Sequence, residues 1–210
     1  MLKRARYRQI YDLLFAEYGE CRCPLEHVSA FQLVAAVMLS AQCRDERVNQ
    51  VTKTLFAAAP DARSMSRMPV EEIERIIRPC GLSVNKSRNL RACAQRIVTE
   101  FAGVVPSEMD QLTRLPGIGR KSANVILGNV FGIPGFPVDT HVRRLLNRIG
   151  MVASDSPEAI EADVNKHVPP ELWTNFSHIL IQHGRHVCAS RKPACGRCVL
   201  EKVCKKIGVQ

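Results

Sequence analysis

Four cysteines, Cys188, Cys195, Cys198 and Cys204, fall within seventeen residues in a C-x6-C-x2-C-x5-C pattern. The stretch is rich in Pro, Gly, Lys and Arg and holds little apolar surface to order itself, so thiolates this crowded point to a metal centre. Zinc with four thiolates is usually built from two short C-x2-C knuckles. Here one short pair is flanked by wider gaps, which suits the larger cube of a [4Fe–4S] cluster and leaves zinc as the alternative.

A second chemistry-bearing stretch is Leu115-Pro116-Gly117-Ile118-Gly119-Arg120-Lys121. Pro116 suits the first corner of a turn and Gly117 the positive φ of the next, so the segment predicts a tight helical hairpin with Ile118 plugged into the core. Gly117 and Gly119 leave backbone N–H groups unshielded at the start of the following helix, where a phosphate could sit on main chain. A Gly-rich turn that is only a turn is the plainer reading. Arg120 and Lys121 then occupy a first helical turn, where the dipole disfavours cations. A DNA phosphate would account for Arg120, and a nucleophilic amine held partly neutral by positive surroundings for Lys121; a solvated side chain accounts for any single lysine. Farther on, Asp139 in Val138-Asp139-Thr140-His141 is placed to cap a helix, which alone explains an aspartate there. Its functional reading is a carboxylate facing Lys121 across a cleft. His141 reads as a structural hydrogen-bonder, and Arg143 and Arg144 as phosphate contacts or a solvated face.

The elements that must position these groups are helices. Tyr7, Ile10, Tyr11, Leu14 and Tyr18 recur at helical spacing, as do Val48, Val51, Thr52, Leu55 and Phe56, and Leu90, Cys93, Ala94, Ile97, Val98 and Phe101. Val142, Leu145, Leu146 and Ile149 form a stripe ended by Gly150, and Phe176, Ile179, Leu180 and His183 another. Ser29 and Gln32 predict a capping box before a buried helix from Ala30 to Leu39. No segment sustains a two-residue alternation, and the clearest break is Gly132 to Pro137.

The formal charge of +10 is concentrated at two places. Residues 1–10 carry Lys3, Arg4, Arg6 and Arg8 with no acid; residues 181–210 carry seven basic side chains against Glu201, and the rest of the chain balances. If both stretches fold together they form one basic face suited to a polyanion; otherwise they are solvated tails. The remaining cysteines, Cys21, Cys23, Cys43, Cys80 and Cys93, are scattered, and Cys93 reads as a small core hydrophobe. No signal peptide is evident, so a disulfide framework is not expected. The longest apolar run, Phe31 to Leu39, is too short to cross a bilayer, and no membrane association is expected.

Leu115 to Asn124, then Val138 to His141, then His183-Gly184-Arg185 and the cysteine set resemble, in order and spacing, endonuclease III, a family of the helix–hairpin–helix DNA glycosylase superfamily. Ser40-Ala41-Gln42 and Gly81-Leu82 also stand in family positions, and the resemblance runs nearly end to end. It implies an all-α fold of two helical domains flanking a DNA-binding cleft. A six-helix barrel with the helix–hairpin–helix spans residues 23–133, and an iron–sulfur cluster domain joins residues 1–22 to 134–210. It further implies a bifunctional DNA glycosylase and AP lyase of base excision repair, acting on double-stranded DNA with oxidised pyrimidines or abasic sites. Lys121 is then the nucleophile, Asp139 assists its activation and the proton transfers, and the strand is cut 3′ to the abasic site by β-elimination. Cys188, Cys195, Cys198 and Cys204 hold a [4Fe–4S] cluster. Gln42 and Leu82 fill the space left by the extruded nucleotide, and Gly117, Gly119, Arg120, Arg144, Arg185, Arg191 and Lys192 contact DNA. A monomer in the cytoplasm, associated with the nucleoid as in bacteria, completes the expectation.

Two departures bear on detail. Ala194 stands where the family often has a basic residue, and Ser83 and Val84 follow Gly81-Leu82 where an aromatic is common. Adenine-specific mismatch glycosylases share the hairpin and cluster but lack a lysine at the position of Lys121. A non-enzymatic DNA-binding module would explain the turn, charge and cysteines but gives Lys121 and Asp139 no joint purpose.

Overall fold

The structure, a computed structural model, describes residues 2–209. Among them every regular element is helical: α1 Leu2–Tyr18, α2 Ala30–Leu39, α3 Asp45–Ala58, α4 Ala62–Arg67, α5 Val70–Ile77, α6 Ser83–Phe101, α7 Met109–Arg114, α8 Arg120–Ile126, α9 Thr140–Ile149, α10 Pro157–His167 and α11 Trp173–His186. A π-helical stretch, Leu127–Phe131, extends α8, and short 3-10 turns occur at Arg78–Cys80, Pro170–Leu172 and Cys195–Arg197. The chain divides into two compact units. One is Cys23–Ile133, with α2 to α8; the other joins the stretch up to Arg22, with α1, to everything from Pro134 onward, with α9 to α11.

In the unit Cys23–Ile133 the centre is α2, in which every residue from Phe31 to Leu39 is buried. A helix apolar all round must be enclosed on every side, and α3, α6 and α8 pack against it. Ser29 caps α2 by accepting from the Gln32 N–H at 3.2 Å. The reciprocal half of the expected capping box is displaced by one residue, because Gln32 Oε1 accepts from the Val28 N–H at 3.0 Å. The stripes of α3 and α6 face inward, with Cys93 fully buried. Burial alone pushes the Cys93 thiol up to about 12, so it behaves as a hydrophobe.

In the other unit, Tyr7, Ile10, Tyr11 and Leu14 of α1 are buried, and the rings of Tyr7 and Tyr11 meet Phe176 of α11 edge-on at 6.4 and 5.6 Å. The stripe Val142, Leu145, Leu146 and Ile149 is buried, and Gly150 ends α9 at φ +79°. Gly184 lets α11 approach α9: a Cβ there would lie 2.9 Å from His141 Cβ. The two basic stretches thus fold into one unit, but much of the first is already paired. Lys3 meets Asp163 at 2.6 Å, Arg8 meets Asp12 at 2.8 Å, and Arg6 donates to the carbonyls of Ile149 and Val203 at 2.8 and 3.2 Å.

Candidate active site and cysteine centre

The hairpin forms as the Pro-Gly pair requires. Ile118 N–H donates to Leu115 O at 3.1 Å, Gly117 takes φ +80°, and Ile118 is buried in the core. The two glycines are glycine for different reasons. At Gly117 the backbone is left-handed and a Cβ would strike Met38 Cε at 2.7 Å, so the fold itself demands glycine. Gly119 has φ −96° and nothing within 4 Å of a Cβ, so neither backbone nor packing explains it. Open space in front of a helix start is what a close main-chain approach by an outside group would need. Arg120 and Lys121 follow as the first residues of α8, both exposed.

Gln42 and Leu82, in the same unit, are exposed and both adopt left-handed backbone, at φ 55° and 51°. For a non-glycine residue that conformation costs about 1 kcal/mol or more. Leu82 gains no burial in return, being 54 % exposed beside the equally open Val84.

Asp139 sits at the start of α9 in the other unit. A single oxygen, Oδ1, accepts from both the His141 and Val142 N–H groups at 2.8 Å. Capping therefore occupies one oxygen and leaves Oδ2 without a hydrogen bond among the described residues. Burial is the main cause that holds the His141 ring below its ordinary range, which keeps it neutral, and its Nδ1 meets Arg144 at 3.1 Å.

The four cysteines line one recess that is partly open to solvent, together with Arg148, Val187 and Pro193. Burial first, and then the neighbouring thiols, raise both Cys198 and Cys204. Among the described residues no three metal-binding side chains converge as a single ion would need. The loop is held from outside by arginines. Arg144 donates to Cys188 O at 2.9 Å and Gly184 O at 2.9 Å, and Arg148 to Ala189 O at 2.7 Å and Ser190 O at 2.8 Å, with Cys188 Sγ at 3.5 Å. Arg144, expected from the sequence at a phosphate, is thus engaged with loop carbonyls and His141. Arg185, Arg191 and Lys192 are exposed, and Lys192 has φ 50°.

Three groups here escape a reading of the sequence. Arg148 and Arg6 look like surface cations until their carbonyl partners are seen. Buried His183 lies between Tyr18 Oη, 2.9 Å from Nδ1, and Cys198 Sγ, 3.2 Å from Nε2. Burial depresses its pKa to about 4, so the ring is neutral. Tyr18 donating to Nδ1 leaves Nε2–H to donate to the sulfur, which suits a thiolate. One signal for the arginines was available. Arg144 and Arg148 stand one turn apart on α9, a repulsive pairing unless both guanidiniums have acceptors.

The structure therefore gathers Gln42, Leu82, Gly117, Gly119, Arg120 and Lys121 in one unit, and Asp139, Arg144, Arg185, Arg191, Lys192 and the four cysteines in the other. Residues 35–170 match the model of the HhH-GPD superfamily of base excision DNA repair proteins. Endonuclease III of Synechocystis sp. is 45% identical over 203 residues, covering 96% of this chain and 93% of that protein. Two solved structures, a non-covalent endonuclease III–DNA complex and a trapped endonuclease III–DNA covalent intermediate, superpose with a TM-score of 0.93 at 38% identity, each covering 98% of this chain and 97% of its own. With motif, sequence and fold in agreement along nearly its whole length, the chain belongs to the endonuclease III family of the HhH-GPD base excision DNA repair superfamily.

Proposed function

We propose that the protein is a bifunctional DNA glycosylase and AP lyase that removes oxidised pyrimidines from duplex DNA, with Lys121 as nucleophile and Asp139 as the carboxylate that handles protons. The observation that carries this reading is the exposed Lys121 amine two residues beyond Gly119, whose open face the protein's own packing leaves unexplained. A trapped covalent endonuclease III–DNA intermediate among the similar structures supports it.

C1′ of a nucleotide is shielded inside a duplex, so the damaged nucleotide must first leave the stack. Gln42 and Leu82 fill the gap. Their left-handed backbone presents exposed side chains at a conformational cost that insertion between bases would offset. Backbone N–H groups around Gly117 and Gly119, with Arg120, take a phosphate and fix the strand. Lys121 Nζ attacks C1′, the C1′–N bond breaks, and the base departs with a proton. Asp139 accepts a proton from the attacking amine on Oδ2, the oxygen that capping leaves available. The C1′–O4′ bond then opens as O4′ takes up a proton, and the resulting iminium draws electrons from the C2′–H bond; loss of that proton expels the 3′ phosphate, and water then releases the lysine.

Cys188, Cys195, Cys198 and Cys204 would hold a [4Fe–4S] cluster. The donor set supports it: four thiols line one recess yet do not close on a single point, as expected when each thiolate binds a different iron. The cluster would order the loop that presents Arg191 and Lys192 to the DNA backbone. We assign the functional unit as a monomer. Among the described residues no helix is long and apolar enough to cross a membrane.

Borohydride trapping on a duplex with an oxidised pyrimidine or an abasic site tests the assignment. Wild type should become covalently attached, and Lys121→Gln should lose trapping while retaining DNA binding. Undiminished trapping in that variant would remove Lys121 from the mechanism.

A further inference from the structure

Among the described residues Lys86 is the only buried lysine, 6 % exposed on the inward face of α6. Its ammonium is held by two carbonyls rather than by a carboxylate: Nζ donates to Leu39 O and to Cys80 O, each at 2.8 Å. Core stability alone does not call for a lysine here, because methionine would fill the same space without burying a charge. What the lysine supplies is a tie between segments far apart in the chain. Leu39 O is a last-turn carbonyl of α2, which the helix leaves unsatisfied and whose negative end favours a cation. Cys80 O closes the 3-10 turn Arg78–Cys80. Gln42 stands three residues beyond the first carbonyl, and Leu82 two residues beyond the second. The Lys86 backbone N–H also donates to Leu82 O at 3.0 Å, so the Leu82 turn is gripped by main chain and side chain of one residue. Gln42 and Leu82 hold left-handed backbone at φ 55° and 51°, and such a conformation in a residue other than glycine persists only when its surroundings over-determine it.

We infer that Lys86 is a positioning residue for lesion recognition: its ammonium fixes the Gln42 turn and the Leu82 turn relative to each other, so that both side chains enter the space vacated by one extruded nucleotide. The inference rests on the reading above in which Gln42 and Leu82 fill that gap. Lys86 touches no DNA itself. Its side chain is buried, and it acts through the two backbones it joins. Two separately mobile wedges would each have to be ordered when DNA binds, and that ordering would be subtracted from the affinity for a lesion. With both turns anchored to one nitrogen, the ordering is complete before DNA arrives. Ser40 stiffens the first turn in the same sense, its Oγ donating to Val37 O at 2.9 Å and its carbonyl accepting from the Cys43 N–H at 3.1 Å. Those bonds are local to one turn, whereas the Lys86 bonds alone span both. Loss of Lys86 should therefore impair discrimination between damaged and undamaged duplex more than it impairs binding to DNA as such.

The test compares the intact protein on two duplexes, one undamaged and one with a tetrahydrofuran abasic analogue, by anisotropy. A 2-aminopurine opposite the analogue reports insertion, since it brightens on losing its stacking. Lys86→Met should lower the preference for the analogue by about tenfold to 100-fold and dim the 2-aminopurine signal, with affinity for undamaged duplex retained. Lys86→Arg, which can donate to both carbonyls, should keep most of the preference. Lys86→Gln, too short to span them, should lose it, and takes the place of the Met variant if urea unfolding shows that one to be unfolded. Because Lys86 acts through the two turns, Lys86→Met should cost less than about twofold further in a Gln42→Ala/Leu82→Ala background. Wild-type preference in Lys86→Met, an equal loss on both duplexes, or a fully additive loss in the double-alanine background would each overturn the inference. If Gln42→Ala/Leu82→Ala itself left preference and fluorescence unchanged, the gap-filling reading would fail and this inference with it; a loss there without one in Lys86→Met would overturn the inference alone.

Discussion

In the proposed mechanism Asp139 has two duties, and substitution can separate them because both of its capping bonds fall on one oxygen. Oδ1 accepts from the His141 and Val142 N–H groups at 2.8 Å each. An asparagine in the same rotamer keeps that oxygen and both bonds, and loses only the attraction of a negative charge for the helix start, about 0.3–1 kcal/mol. Alanine removes both bonds and should cost about 1–2 kcal/mol. Proton handling behaves differently. Neither replacement can accept a proton as a carboxylate does, so both should slow turnover by about 100-fold or more, equivalent to roughly 2.7 kcal/mol of transition-state stabilisation. Urea unfolding gives the stabilities, and single-turnover cleavage of a duplex with one oxidised pyrimidine gives the rates. Asn should be stable and slow, Ala unstable and slow. An Asn variant with near-normal turnover would reduce Asp139 to a cap, and one as unstable as Ala would refute the single-oxygen account of the cap.

The hairpin glycines should separate in the same way. Gly117→Ala places a methyl 2.7 Å from Met38 Cε on a left-handed backbone and should lose about 1–3 kcal/mol in urea unfolding, whereas Gly119→Ala should leave stability intact and weaken DNA binding measured by anisotropy. Replacing exposed Arg191 and Lys192 with Ala should reduce the slope of log affinity against log salt by about one to two; an unchanged slope would mean that this loop does not reach the backbone. Burial holds His178 below its ordinary range. The unfolded chain therefore takes up the proton first, so stability is full above about pH 6.5 and declines as pH falls below it. His178→Gln should flatten the decline in urea midpoint between about pH 7 and 5.

The parts of the molecule that follow from local rules were legible in the sequence. The stripes of α1, α3, α6, α9 and α11 face inward where the spacing put them, and the Pro116-Gly117 turn, the Asp139 cap and the Gly150 terminus needed only nearby residues. What stayed hidden depends on partners far along the chain. Arg6 reaches Val203, and Arg148 reaches Ala189 and Ser190; nothing about an arginine in a sequence distinguishes a carbonyl clamp from a solvated cation. Lys86 was within reach. It falls in phase with Leu90, Cys93 and Ile97 on the inward face of α6, and a lysine in that phase needs buried acceptors, which Leu39 and Cys80 supply. The left-handed Leu82 follows an equally left-handed Gly81, and only the glycine announces that backbone by its type.

The interleaving of the two units sets an order of birth. Cys23–Ile133 is contiguous and can complete its core while the ribosome is still at work. The helix α1 cannot. Its partner α11 and the carbonyl of Val203, 197 residues beyond Arg6, emerge last. At ordinary synthesis rates of roughly 5–20 residues per second, Tyr7, Ile10, Tyr11 and Leu14 are held in water for roughly 10–40 s. During that wait Lys3, Arg4, Arg6 and Arg8, on the same helix, keep the nascent segment soluble by mutual repulsion. A chain arrested before Val203 would carry a finished hairpin unit and an α1 still without its partners.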